Sequence, residues 1–436
     1  MERPTQGFTR RQLGWMRRWH SQAHLRTHLG TRPSTPAEWT TFLESIETQI
    51  ARDSYEFRGL RWHSVRGKRA LSTQLLEDAL VIRKINDNVR RSYGLAQPNR
   101  GSLIRTALQA LRENTPKTII RIDIKGCFEG ICRNSLLRQL RVDARVSYQT
   151  IALIDALFAQ AAKRLGGGLP EGIPRGLTIS TSLAELKLRE LDQRLRSQPG
   201  TYLLLRYVDD ILIFSTAPEE QAWLETKTIV SDCGLRVNPS KSKPFRVACK
   251  CDAQCPHGAA CPCKQQCKCL TPTTPLTNLE YLGYKILFYP HNKERRSPND
   301  VYSVLSDRKS SRIKTRIYRS LMDCAATGDW HLLEDRIKYL TANQRVAHAP
   351  GRRGLFNGLS YTHSEYLKPD ALEGSGTLRS LDQFYRAGLR RLIFANGMPT
   401  NKATLESLTF QSGFDHKRRT KFPAIRVKLI KKCWEA

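Results

Sequence analysis

Residues 201–215 read Thr-Tyr-Leu-Leu-Leu-Arg-Tyr-Val-Asp-Asp-Ile-Leu-Ile-Phe-Ser, two apolar runs on either side of Asp209-Asp210. A strand, an acidic turn and a second strand is the natural reading, because Asp tolerates turn conformations and the flanking residues favour strands. Two adjacent carboxylates at the tip of an apolar hairpin raise each other's pKa unless a cation neutralises them. Upstream, Thr118–Ile124 (TIIRIDI) gives a second strand signal and ends near Asp123, where an isolated carboxylate is expensive to bury. Two Mg²⁺ ions would satisfy all three acids, since hard cations prefer carboxylate oxygens. Metals about 3.5–4 Å apart can activate an attacking hydroxyl and stabilise a leaving pyrophosphate. The competing reading is an ordinary solvated Asp-Asp turn with Asp123 as an edge cap.

The surrounding chain suits a partner of opposite charge. Its 436 residues carry 72 Lys+Arg against 40 Asp+Glu, a net charge of +32. That length suggests two to four domains. A composition 40% hydrophobic and 26% charged excludes a wholly disordered or collagen-like chain. No run approaches 18 consecutive apolar residues, so no membrane span is expected. A pI near 10.0 points to nucleic acid. Residues 1–37 are Arg-rich with Glu2 as the only acid, a composition shared by transit peptides and nucleic-acid-binding arms; the second is preferred because the basic character persists along the chain. The absence of an apolar leader segment and the uneven cysteine distribution favour the cytosol.

Helical spacing predicts helices over 36–52, 73–92, 101–113, 146–164 (closed by Gly166-Gly167-Gly168), about 180–195 and Pro218–Cys233. Leu279–Phe288 reads as a strand. From about 305 the pattern is helical, with Ile313, Ile317 and Leu321 facing inward and Arg308, Lys309, Arg312, Lys314, Arg316 and Arg319 on the same helix. The tail is strongly basic.

Seven of the twelve cysteines crowd into 249–269. Cys249, Cys251 and Cys255 recur twelve residues later as Cys261, Cys263 and Cys267, with Cys269 closing the run and His257 adding an eighth donor. Thiolates at that density bind Zn²⁺ tetrahedrally, and eight ligands suit two structural ions. The segment has almost no apolar residues, so metal would supply its folding energy. An iron–sulfur cluster and an unliganded reactive loop are the alternatives. Cys127, Cys132, Cys233, Cys324 and Cys433 are expected in the core.

Tyr207-Val208-Asp209-Asp210 resembles the YxDD box of reverse transcriptases. Asp123-Ile124-Lys125-Gly126-Cys127-Phe128 resembles their first carboxylate motif, and Ile173-Pro174-Arg175-Gly176 is similar to the L-P-Q-G segment under the incoming nucleotide. Gly234–Lys241 resembles the lysine-ending motif, and Tyr281-Leu282-Gly283-Tyr284 the primer-grip strand. The five occur in family order over about 120–290.

The resemblance implies an α+β right-hand polymerase with a Cys-rich zinc-binding insertion. Its parts would be an N-terminal basic helical region (1–70), fingers (71–117), a palm (118–290, with fingers elements at about 130–170) and a helical basic thumb and C-terminal region (291–436). It implies that Asp123, Asp209 and Asp210, with the Ile124 carbonyl, hold two Mg²⁺, and that Lys241 assists the departing pyrophosphate. Phe128 would exclude a ribose 2′-OH. Arg83, Lys84, Arg90, Arg91 and Arg100 are candidates for gripping the triphosphate, alongside Arg175 and Gly176. Tyr281, Gly283, Arg308, Lys309, Arg312, Arg316 and Arg319 would contact nucleic acid. Surface lysine and core aromatic are the bland readings of Lys241 and Phe128.

Two departures narrow the resemblance. Arg175 stands where most of the family has Gln, and Ser180-Thr181 where it has Ser-Pro. Together with RKINDNVRRSYGLAQPNR they look like the bacterial abortive-infection and phage-defence branch. That branch implies a noncoding RNA or second protein partner, self-association, and unconventional priming or templating. A retron or group II intron enzyme copying a defined RNA, and a catalytically idle RNA-binding scaffold, are the competing expectations.

Overall fold

The computed structural model of the chain describes residues 5–18, 33–65, 67–113, 115, 117–165, 172–247, 277–289, 300–346, 355–367 and 376–435. They fall into two units. The first is built from residues up to Pro98 and from Lys117–Val247, the second from residues 99–116 and the chain beyond 247.

The first unit opens with helices Arg10–Arg18 and Pro36–Ala51. Phe8, Leu13 and Met16 are buried in the main core, so residues 5–18 are packed structure; the expectation of a nucleic-acid-binding arm is corrected there, because an apolar residue recurs once per turn. Residues 19–32 lie outside the described residues. A hairpin follows, β1 (Leu60–Val65) and β2 (Lys68–Thr73), which corrects the expectation of a helical region to residue 70. Gly67 at φ +73 makes its turn, and the Trp62 indole N–H donates to the Ala161 carbonyl at 3.1 Å. The next helix begins at Leu76 and runs to Ser92.

The central sheet comprises β3 (Lys117–Asp123), β4 (Thr201–Tyr207), β5 (Asp210–Ser215) and β6 (Lys243–Val247), all antiparallel in the order β4-β5-β3-β6. Ile211, Leu212, Ile213 and Phe214 of β5 are all fully buried, as are Ile119, Ile120 and Ile122 of β3. Continuous apolar runs mark strands covered on both faces. Helices Thr178–Arg196 and Glu219–Asp232 pack beside this sheet. The register sets Asp123 opposite Asp210, and Tyr207 pairs with Asp210 across the hairpin.

The second unit holds an antiparallel meander, β7 (Thr277–Tyr281), β8 (Tyr284–Tyr289) and β9 (Asp300–Leu305). The single strand expected over 279–288 is therefore a hairpin, turning at Leu282 and Gly283 with φ +48 and +76. Helices Asp307–Thr327, Trp330–Thr341 and Leu378–Asn396 share a core that includes Ile313, Ile317, Leu321, Leu333, Tyr385 and Leu389. Helix Ala424–Glu435 seats Trp434 against it, the indole N–H donating to Ser320 Oγ at 2.9 Å. Among the described residues no helix is long and apolar enough to cross a membrane.

One core acid makes the first unit's stability depend on pH. Asp78 is fully buried and accepts hydrogen bonds from the Tyr55 hydroxyl (2.8 Å) and the Gly59 N–H (2.7 Å). Burial outweighs both and pushes its carboxyl up to about 6. The folded state therefore holds a proton that the unfolded chain releases near pH 4, and this contribution to stability falls as pH rises from 4 to 6. Denaturant unfolding should show wild type losing up to about 3 kcal/mol relative to Asp78→Asn between pH 4 and 7. A pH-independent difference between the two proteins would contradict this assignment.

Candidate active site

The three carboxylates sit where two strand ends meet a turn. Asp123 closes β3, and Val208-Asp209 forms the tip between β4 and β5. The loop after helix 219–232 is stitched to the same point: the Asn238 N–H donates to the Asp123 carbonyl (2.8 Å), the Lys125 N–H to the Arg236 carbonyl (2.7 Å), and the Asp123 N–H to Ser242 Oγ (2.9 Å). Ile124 forms a bridge with Val237, and its N–H donates to the Asp209 carbonyl at 3.1 Å.

Each acid has its own surroundings. The Asp123 carboxylate accepts from Asn238 Nδ2 at 2.9 Å and from Lys241 Nζ at 3.3 Å to both oxygens. Burial, and then the charge of Asp123, raise the Asp209 carboxyl above its ordinary range, against the pull of Arg175 and Lys241. Asp210 meets Arg121, Oδ1 to Nε at 3.4 Å. Among the described residues no three His, Cys, Asp or Glu side chains converge as a ready ligand shell. Of the three acids expected to share the metals, Asp210 is engaged by Arg121 in this structure. The Asp123–Asp209 pair still fits a divalent ion: both are hard oxygen donors, and Asp209 is a half-buried acid held above its ordinary range.

Beside these acids lies a cavity of about 500 Å³ whose lining includes Lys68, Arg69, Lys125, Glu129 and Arg175. Arg175 forms a two-pronged pair with Glu129 (Nε to Oε1 2.5 Å, Nη2 to Oε2 2.8 Å) and lies over the Phe128 ring at 5.0 Å. The pair raises the guanidinium's pKa and lowers the carboxyl's. Phe128 is half-buried against the main core, and its carbonyl accepts from the Ile173 N–H at 2.8 Å. Gly176 is at φ +99, and a Cβ there would lie 2.5 Å from the Leu71 carbonyl oxygen, so β2 can approach only a glycine. The Leu71 N–H donates to the Arg175 carbonyl at 2.6 Å, tying β2 to this segment.

The basic residues expected to grip a triphosphate are scattered. Lys84 is buried, its ammonium donating to Asn88 Oδ1 (2.6 Å) and the Thr5 carbonyl (3.1 Å); it is a core residue, and the expectation is corrected. Arg83, Arg90 and Arg91 line a different cavity, shared with Met16 and Thr178. Arg91 is also held by Asp87 at 2.8 Å. Arg100 belongs to the second unit, where it donates to the Leu282 carbonyl. Lys68 and Arg69, absent from the expected set, are among the cations on the cavity wall. Their signal was the basic turn Arg66-Gly67-Lys68-Arg69.

In the second unit, Gly283 lies at the hairpin turn. Tyr281 is fully buried and so packs in the core instead of meeting nucleic acid, a correction that follows from its inward phase on β7. Arg316 stacks over Trp434 at 5.2 Å and Arg319 donates to the Trp434 carbonyl at 3.0 Å, so both also meet the last helix. Arg308 and Arg312 are exposed. Burial, reinforced by Arg100, Arg312 and Arg316, lowers the Lys309 pKa. The neighbouring His363 is pushed down to about 3 by burial, Lys309 and Arg100, and its Nε2–H donates to the Gly283 carbonyl (3.3 Å). This concentration of like charge around one turn suits a phosphodiester backbone.

Cys249–Cys269, with His257, lie outside the described residues. Of the other cysteines, Cys127 and Cys324 are buried, Cys233 and Cys433 half-buried and Cys132 exposed. The core placement therefore holds for two of five.

The family model described as reverse transcriptase (RNA-dependent DNA polymerase) matches residues 69–286, half of the chain. No curated protein matches the chain.

Replacing Lys309 by Met and Arg312 by Gln should flatten the dependence of log K on log salt for duplex binding, by about 0.9 for each phosphate that is no longer neutralised. Filter binding across a salt series checks this, and an unchanged slope would exclude the two cations from the interface.

Proposed function

The chain belongs to the reverse transcriptase family and is an RNA-directed DNA polymerase, and from that premise we propose that its chemistry is centred on Asp123 and Asp209. The observation carrying the reading is the elevated Asp209 carboxyl beside Asp123 at the end of the sheet. Asp123, Asp209, Asp210 and the Ile124 carbonyl would hold two Mg²⁺, which when bound neutralise the triphosphate and activate the attacking hydroxyl. Asp210 completes the acidic group from its place beside Arg121.

The chain's own residues do the rest. Lys68 and Arg69 bind the triphosphate across the cavity, as a point charge and a fork. Phe128 excludes a ribose 2′-OH, so that deoxynucleotides are selected. Arg175 lines the cavity, and the adjoining Gly176 admits β2. A primer 3′-oxygen forms a new ester bond at the α-phosphorus as the α–β anhydride bond breaks. Lys241, now paired with Asp123, supplies charge or a proton to the departing pyrophosphate. Arg83, Arg90 and Arg91 contact template backbone, and Gly283, Arg308, Lys309 and Arg312 contact nucleic acid in the second unit.

The motif departures at Arg175 and Ser180-Thr181 support a finer reading: a bacterial, cytoplasmic enzyme of antiphage defence that works with a noncoding RNA, a second protein or further copies of itself. The same reading includes unconventional priming or templating. Cys249, Cys251, Cys255, His257, Cys261, Cys263, Cys267 and Cys269 are proposed to hold two structural Zn²⁺.

Purified protein with Mg²⁺ and labelled dNTPs should make DNA, and Asp209→Asn should reduce synthesis by at least about a hundredfold. Equal synthesis by that variant would remove Asp209 from the chemistry. Product without added template supports the defence branch, and a protease-sensitive mobility shift indicates a protein primer; strictly templated extension argues against both.

Metal analysis of the purified chain should find about two Zn²⁺, released by thiol modification of the cysteine segment. A metal-free preparation with intact thiols would overturn the zinc assignment.

A further inference from the structure

Arg206, on β4 two residues before the turn, lies almost wholly out of solvent, with its side chain 6% exposed. Its guanidinium reaches two acids on helix 178–196. Glu185 accepts from Nη1 and Nη2 at 2.9 and 2.7 Å, and Asp192 accepts from Nε and Nη2 at 2.7 Å each. The remaining Nη1 hydrogen points at the Val208 carbonyl, 3.2 Å away. All the N–H donors of the fork are thereby used, and the two carboxylates hold the guanidinium firmly protonated.

The fifth contact is the informative one. Val208 is a β-branched residue at φ +59, a strained conformation that such side chains rarely adopt. Its carbonyl belongs to the peptide that leads into Asp209. The next carbonyl, that of Asp209, is held by the Ile124 N–H. The backbone of the acid is thus gripped on both sides, from β3 and from Arg206. A packing role alone would be met by an apolar side chain, since a buried ion triad is seldom more stable than a hydrophobic replacement of similar size.

We infer that Arg206 is a positioning residue for the polymerase reaction: clamped by Glu185 and Asp192, it holds the strained Val208–Asp209 peptide so that the Asp209 carboxylate meets Asp123. The assignment rests on the proposed role of Asp209. Helix 178–196 follows directly from Arg175-Gly176, so the clamp links the turn to the element that follows the cavity-lining Arg175.

The test is a cycle between Arg206→Lys and Val208→Gly in the full-length protein. It is read by kcat, KM for dNTP, melting temperature, and Mn²⁺ binding to the dNTP-free protein by electron paramagnetic resonance. Lysine keeps the charge and loses the fork. Arg206→Lys should lower kcat by about tenfold or more and weaken Mn²⁺ binding, with KM changed less than about threefold. In the Val208→Gly background the same substitution should do markedly less, because glycine adopts a positive φ without strain. Unchanged kcat and Mn²⁺ binding in Arg206→Lys would overturn the inference. So would an equal loss in both backgrounds that follows the melting temperature. If Arg206→Lys does not fold, Glu185→Gln/Asp192→Asn/Arg206→Met removes the buried charges together and is read in the same way. An inactive wild type would sink the reading of the carboxylates itself, whereas an active wild type with an equally active Arg206→Lys would sink only the positioning role.

Discussion

Two carboxylates brought together at the end of an apolar sheet are the constraint around which the first unit is arranged. β3 and β5 are sealed by isoleucine, leucine and phenylalanine, so they cannot solvate the charges they carry at their tips. The register that places Asp123 opposite Asp210, with Asp209 in the turn, keeps the acids from separating. Relief for Asp123 comes from one short loop: Asn238 and Lys241 bond to its carboxylate, and Ser242 Oγ accepts from its backbone N–H. Lys241 is half-exposed and sits at 3.3 Å, a weak and displaceable partner. Asp209 has less relief and an elevated carboxyl. Such a pair is poised to gain from a hard cation, which gives the loop's proximity to the strand end a chemical purpose.

Much of this arrangement was legible in the sequence because the sheet strands are continuous apolar runs interrupted only by acids. Burial on both faces removes the ambiguity of a half-polar strand. The hairpin β1–β2 was not legible. LRWHSV and KRALST are mostly polar, and their pairing depends on partners far along the chain, Trp62 with Ala161 and Leu71 with Arg175. The β7–β8 turn was missed for a different reason. Leu282 occupies a left-handed conformation that leucine seldom adopts, so only Gly283 marked the bend. Residues 5–18 looked like an arm because their arginines dominate the composition, while Leu13 and Met16 anchor the helix from one face.

The site was less legible than the fold, since a basic residue's type says nothing about which way it points. Lys84 and Lys68 are alike in sequence and opposite in fate. One is enclosed between Asn88 and the Thr5 carbonyl, and the other stands on a cavity wall. Arg316 and Arg319 carry the helical spacing of a backbone-tracking face, and Trp434, more than a hundred positions away in the chain, also meets both. Some of the 72 Lys and Arg are turned inward, Arg206 to Asp192 and Glu185 and Arg336 to Asp323, so the cations that can face a polyanion are fewer than the total.

Arg175 shows how a departure from a family pattern can be absorbed locally. Read alone, an arginine in place of glutamine puts a fixed cation where an uncharged amide is usual, and that would alter how a nucleotide is held. In the folded chain the guanidinium is matched by Glu129 through two parallel hydrogen bonds, and each group shifts the other toward its charged form. A bidentate arginine–carboxylate pair is planar, polar and without net charge, as a side-chain amide is. Glu129 directly follows Phe128, so the compensating acid sits on the same short helix as the expected sugar gate. Two charged prongs over an aromatic ring thus occupy the place where the family pattern has a single glutamine.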